Sequence, residues 1–140
     1  MPITIKHGSI FDSTADVLVC PVNCVGVMGK GLAKEFGKRF PVASSHYEWI
    51  CEADGLRPGA LYVCGKVLFA ATKLHWRDPS KLKWVESCMS SMEAYMLSAS
   101  SIAIPQLGCG CGGLDWADVW PLYEKHLGGL PVDVEVWIYE

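Results

Sequence analysis

Val17-Leu18-Val19-Cys20-Pro21-Val22-Asn23-Cys24-Val25-Gly26-Val27-Met28-Gly29-Lys30-Gly31 passes from a near-continuous apolar run into a glycine-rich turn. Residues 15–22 lack the alternation of a strand with one wet face, so they predict a strand buried on both sides, as in a sheet sandwiched between helices. The turn leads into residues 32–40, where Leu32, Phe36 and Phe40 recur four apart with Lys34, Lys38 and Arg39 elsewhere, the pattern of a short amphipathic helix. The same order returns later. Ser101-Ile102-Ala103-Ile104-Pro105 is a short apolar run, Gly108-Cys109-Gly110-Cys111-Gly112-Gly113 follows it, and a helix is predicted from about Trp116 to Leu127 with Asp115 as its N-cap. Strand, glycine loop and helix therefore occur twice, which predicts an α/β fold around a mixed sheet.

The rest of the chain fills in that frame. Pro41 opens a second helix in which Tyr47, Ile50 and Cys51 share a side, before Asp54-Gly55 stops it. Residues 61–64 and 66–71 predict strands. Asp78-Pro79 reads as a cap and first turn, and Leu82, Val85, Met89, Met92 and Met96 recur at helical spacing, with the methionines as core filling. Val132, Val134, Val136 and Ile138 alternate with Asp133, Glu135, Trp137 and Tyr139 as a final strand, and Ile3-Thr4-Ile5 alternates as a half-buried one.

Bulk properties bound the function. With 140 residues, 51% of them hydrophobic, residues 1–140 are expected to form a single domain with a core of its own. No apolar run is long enough to span a bilayer and residues 1–10 lack a signal-peptide segment, so a cytoplasmic protein without a membrane partner is expected, as a monomer. Seven cysteines without a disulfide-framework spacing predict reduced thiols. Cys20/Cys24 and Cys109/Cys111 do not have zinc-ribbon spacing, and neither a metal nor a cofactor is expected. A formal charge of −3 argues against nonspecific coating of nucleic acid, which takes many cationic phosphate contacts.

A glycine-rich turn between strand and helix aims backbone N–H groups at an anion, with the positive end of the helix dipole behind them. Two such turns could grip a diphosphate from both sides. Gly29-Lys30-Gly31 lacks the spacing and following hydroxyl of a nucleoside-triphosphate loop, and residues 108–113 lack the acidic residue of a dinucleotide fold. Either cluster alone could be a flexible turn; two at equivalent strand ends point to a ligand crevice.

The run Pro21-Val22-Asn23-Cys24-Val25-Gly26-Val27-Met28-Gly29-Lys30-Gly31 resembles the first ligand loop of macrodomains. Thr72-Lys73-Leu74-His75-Trp76-Arg77, Ser101-Ile102-Ala103-Ile104-Pro105, Leu107-Gly108-Cys109-Gly110 and Gly112-Gly113-Leu114-Asp115-Trp116 follow in the order of the branch that includes the DarG antitoxin. The resemblance implies a three-layer α/β/α macrodomain sandwich with a mixed, largely parallel central sheet. It implies ADP-ribose as ligand and hydrolytic removal of ADP-ribose from a modified partner, DNA in the antitoxin and acidic protein side chains in other relatives. It implies Lys73 as the catalytic residue, acting at the anomeric carbon of the distal ribose. It further implies Asn23 on that ribose, and Gly29, Lys30, Gly31, Gly108, Cys109, Gly110, Cys111, Gly112 and Gly113 around the diphosphate.

The chain departs from the family pattern at three places. Gly8-Ser9 stands where many members have Gly-Asp, so Ser9, Ile10 and Asp12 are the candidates for adenine contact. Cys20 replaces the first asparagine of the Asn-x-x-Asn pattern. Gly112 stands where protein-directed relatives carry a catalytic aspartate, which favours a lysine-only arrangement.

The residues themselves allow plainer roles. Asn23 could simply shape the turn, and Lys73 could be an exposed strand-end lysine, although a lysine at the mouth of a buried site can also be a nucleophile. His75, Trp76 and Arg77 could contact the target, with Trp76 stacking on a base or lying as a lid on the core. The rivals to a glycohydrolase are a reader that binds ADP-ribose without turnover and an ADP-ribose 1''-phosphate phosphatase.

Overall fold

The computed structural model describes residues 3–95 and 100–139. In chain order these form β1 (Ile3–His7), a 3₁₀ turn (Ile10–Asp12), β2 (Val17–Val22), α1 (Gly31–Arg39), α2 (Pro41–Glu52), β3 (Leu61–Cys64), β4 (Val67–Ala71), α3 (Leu82–Tyr95), β5 (Ser101–Pro105), a second 3₁₀ turn (Gly110–Gly112), α4 (Trp116–Leu127) and β6 (Asp133–Ile138). The strands lie in the order β1-β6-β5-β2-β4-β3 and pair in parallel, except for the antiparallel β3–β4 hairpin.

The apolar run of β2 is buried on both faces because each face has its own helical layer. Leu18, Cys20 and Val22 join Phe36 of α1 and Tyr47 of α2, whose ring stacks on Phe69 at 5.0 Å. Val17 and Val19 join Val85, Met89 and Met92 of α3 and Val119, Tyr123 and Leu127 of α4. Met89 and Met92 are core filling, as their spacing predicts; Met96 lies outside the described residues. The result is a three-layer α/β/α sandwich. No helix among the described residues is long and apolar enough to cross a membrane.

Two local expectations change. The helix expected at Asp78-Pro79 begins at Leu82 instead, because the Ser80 N–H is drawn to Gly112 O at 2.9 Å and Lys81 O takes the first helical bonds, from Trp84 and Val85. β1 is an edge strand, so its apolar residues do not alternate between core and water: Ile5 is exposed although Ile3 is half-buried.

The topology also makes a crevice. The chain leaves β2 toward the α1/α2 face and leaves β5 toward the α4 face, although the two strands are neighbours. Ligands of open α/β sheets bind beyond the carboxyl ends of strands at such a switch point. Here the strands also part. β2 pairs with β4 at five positions and β5 with β6 at five, but β2 and β5 pair only at Val17↔Ile102 and Leu18↔Ala103. Past that point lie Pro21 and Pro105, neither of which can donate to a ladder.

Candidate ligand-binding cleft

A cavity of about 470 Å³ opens where β2 and β5 separate, with Pro21 and Pro105 in its wall. The first glycine loop forms one side. Its shape is set by Asn23, whose side chain is buried and whose Oδ1 accepts from the N–H groups of Val25, Gly26 and Val27 at 3.0, 3.1 and 3.3 Å. Asn23 Nδ2 donates to Val27 O at 2.9 Å, and the Tyr47 hydroxyl reaches Asn23 O at 2.7 Å and Oδ1 at 3.0 Å. Burial raises the Tyr47 pKa, so the phenol remains a donor.

The loop delivers the chain to the start of α1, where Gly31 takes φ +56 and no side chain caps the helix at Lys30. The first-turn amides of an α-helix have no intrahelical partner. Gly31, Leu32 and Ala33 line the cavity, so an uncapped helix N-terminus with its positive dipole end faces the space, beside the Lys30 side chain.

The second loop forms the opposite side. Its root is fixed by Tyr123 of α4, whose buried hydroxyl accepts from Leu107 N at 2.8 Å and donates to Pro105 O. The loop then closes on itself through Cys109 N, Gly112 N, Gly113 N and Leu114 N, which bond to Gln106 O, Cys109 O, Gly110 O and Gly108 O. Among the described residues, the amides of Gly110 and Cys111 take no such internal bond. Gly110 at φ +49 and Gly113 at φ +78 use the left-handed region that glycine permits.

Lys73 follows β4 and stands at the mouth, half-buried, with Nζ donating to Cys111 O at 3.2 Å. The geometry therefore sets an uncapped helix start and the Lys30 side chain on one wall against the second glycine loop on the other, with Lys73 at the mouth. That is a receptacle for an elongated anion.

A Macro domain family model matches residues 19–123. The chain belongs to the macrodomain family. A DNA ADP-ribosyl glycohydrolase of Mycobacterium tuberculosis is 36% identical over 98% of this chain, which spans 42% of that protein's length. The macrodomain of Thermus aquaticus DarG superposes with a TM-score of 0.90 at 34% identity, covering 99% of this chain and 97% of that one. Thermosipho africanus DarTG in complex with ADP-ribose superposes with a TM-score of 0.87 at 30% identity, covering 96% of this chain and 41% of that one.

Among the sequence-predicted site residues of this macrodomain, Asn23, Gly29, Lys30, Gly31, Lys73, Trp76, Gly108, Cys109, Gly110, Cys111 and Gly112 line the cavity together. Gly113 closes the loop just outside it. Ser9, Ile10 and Asp12 do not line it: Ser9 Oγ caps the first 3₁₀ turn by accepting from Phe11 N at 3.3 Å, Ile10 is core, and Asp12 is exposed. His75 Nδ1 accepts from Arg77 N at 3.2 Å and the Arg77 guanidinium lies 5.4 Å from the Trp76 ring centre, so the three form one exposed cluster beyond Lys73.

Four cavity residues escape a sequence reading. Trp137 and Tyr139 read as the outward side of β6, and only the strand order brings the end of β6 beside β5. Gln106 and Ser80 carry no motif at all. The thiols give no sign of activation where their pKa values move: partial burial, then the Asp115 carboxylate, pushes Cys109 up, and burial, then Cys51, pushes Cys24 up to about 11. Among the described residues, no three His, Cys, Asp or Glu side chains gather where a metal ion could be held.

Proposed function

We propose that this macrodomain binds ADP-ribose in the cleft between β2 and β5 and hydrolyses the bond joining it to a modified target, with a DNA base as the first substrate to test. The observation that carries the reading is the pairing, across one cavity, of the uncapped α1 start with Gly110 and Cys111 amides that have no internal partner among the described residues, with Lys73 at its mouth. A diphosphate accepts from both walls at once. The DNA ADP-ribosyl glycohydrolase of Mycobacterium tuberculosis and the ADP-ribose bound to the Thermosipho africanus protein support both the ligand and the reaction.

In this reading Lys73 acts at the anomeric carbon of the distal ribose. The glycosidic bond breaks with its electron pair on the target, water supplies hydroxyl to the anomeric carbon, and the remaining proton goes to the departing base or carboxylate. Amides aimed at the adjoining phosphates stabilise charge that develops during cleavage. The exposed Trp76, with Arg77 against its ring, offers a stacking face to the target beside the mouth.

The test presents ADP-ribosylated DNA oligonucleotide, glutamate-ADP-ribosylated protein and ADP-ribose 1''-phosphate in parallel to the wild type and to Lys73→Ala. Release from DNA by the wild type, at least about 100-fold slower in Lys73→Ala with free ADP-ribose still bound, is the expected result. Undiminished turnover by the variant would move catalysis elsewhere. Binding without turnover on any substrate would make the protein a reader, and turnover of the 1''-phosphate alone would make it a phosphatase.

A further inference from the structure

Ser80 lies between β4 and α3 and has no part in the reading above. Its N–H donates to Gly112 O at 2.9 Å, next to the Cys111 carbonyl that receives Lys73 Nζ at 3.2 Å. The segment carrying the lysine is thus fastened to the second glycine loop at two consecutive carbonyls. Ser80 lines the same cavity, is only 4% exposed, and among the described residues its buried Oγ has no hydrogen-bond partner. A buried hydroxyl left without a partner is less favourable than an apolar group of the same shape. Packing alone would therefore prefer alanine here.

Gly112 supplies an independent observation. Its φ lies outside the left-handed region, so its backbone does not require glycine, and yet a Cβ there would meet Ser80 Oγ at 2.5 Å and Ser80 Cβ at 3.0 Å. Glycine at 112 keeps open the place where the hydroxyl stands. The two positions form one feature, an unpartnered hydroxyl lodged against Gly112, next to the carbonyl that holds Lys73.

We propose that Ser80 is a substrate-binding residue whose hydroxyl donates to an oxygen of the distal ribose, at the end of the cleft where Lys73 stands. This rests on the ADP-ribose reading. The ribose oxygen provides the partner that the protein does not, and the bond places the sugar beside the lysine.

The test measures free ADP-ribose binding by calorimetry and the ligand-free Tm in Ser80→Ala and Ser80→Gly. Ser80→Ala should bind about 2- to 12-fold more weakly, the range for one lost hydrogen bond, with Tm unchanged or raised because an unpartnered polar group has gone. Gly112→Ala should lower both Tm and affinity. Combining it with Ser80→Gly should restore Tm, since the Cβ regains its space, but not affinity, since the hydroxyl is missing. Unchanged affinity in Ser80→Ala, a fall in its Tm beyond about 5 °C, or recovery of affinity in the double variant would overturn the assignment while leaving the ADP-ribose reading in place. A wild type that does not bind ADP-ribose would overturn both.

Discussion

Asn23 is the residue on which the first glycine loop turns, and Asn23→Ala should cost stability before it costs chemistry. The substitution removes one acceptor from three backbone amides, those of Val25, Gly26 and Val27, and one donor from Val27 O. Val25 and Val27 are 43% and 41% exposed, so water recovers part of what their amides lose. Taking about 1 kcal/mol for each of two to three net bonds gives a loss of about 2–3 kcal/mol. For a domain of this size about 3 °C accompanies each kcal/mol, so Tm should fall by about 6–9 °C. Asn23→Asp separates the two halves of the side chain: it keeps an oxygen for the three amides but sets a second oxygen against Val27 O, and should lose about 1 kcal/mol. The assay is a thermal melt of the three proteins with a parallel ADP-ribose titration. A Tm for Asn23→Ala within about 2 °C of wild type would refute the claim that this amide holds the loop. Wild-type affinity in Asn23→Asp would show that the remaining amide N–H does not contact the ribose.

Tyr123→Phe should destabilise by about 2 kcal/mol, because it strands the buried Leu107 N–H, whereas Tyr47→Phe should cost about 1 kcal/mol, because it takes a donor only from acceptors, Asn23 O and an Asn23 Oδ1 that keeps its three amide donors; chemical denaturation of both variants checks the order. Cys24, with its pKa pushed up to about 11 and its side chain buried, should be roughly one part in a thousand ionised at pH 8. The exposed Cys111 should therefore react first with a thiol reagent, as peptide mapping would show, and ADP-ribose should protect it. Glu86 bonds to His126 Nε2 at 2.8 Å and to Lys125 Nζ at 2.9 Å, and these donors, His126 first, hold its carboxyl below the ordinary range. A depressed carboxylate stabilises above its unfolded pKa and loses that contribution as pH falls through its folded pKa. The Tm gap between wild type and Glu86→Gln should therefore be widest near neutrality and close in the acid limb below about pH 4.

The sheet was legible because burial on two faces leaves a direct trace. Residues 17–20 and 67–71 are apolar without alternation, and they are the central strands β2 and β4. The α4 helix was legible from its Asp115 cap, whose Oδ1 accepts from Ala117 N at 3.1 Å. What failed was decided by partners distant in sequence. The start of α3 moves because Ser80 N–H bonds to Gly112, 32 positions away by residue number. Trp137 and Tyr139 reach the cavity through strand order, which periodicity along one strand does not encode.

The two loops share one device that neither glycine pattern reveals. Each leaves its strand beside a fully buried tyrosine from the helical layer on its own side of the sheet: Tyr47 of α2 bonds to Asn23 at the root of the first loop, and Tyr123 of α4 bonds to Pro105 and Leu107 at the root of the second. Both hydroxyls have raised pKa values through burial, so each remains a neutral donor. Glycine-rich segments lose much conformational entropy when they order, and a loop ordered only by its ligand would give up that cost in affinity. Fixing the roots from the two cores leaves the tips free to present unbonded amides, and it places the walls of the cleft on opposite layers of the sandwich. A ligand that bridges the walls therefore bridges the two cores, so its binding should raise the resistance of the whole sandwich to unfolding rather than that of one loop.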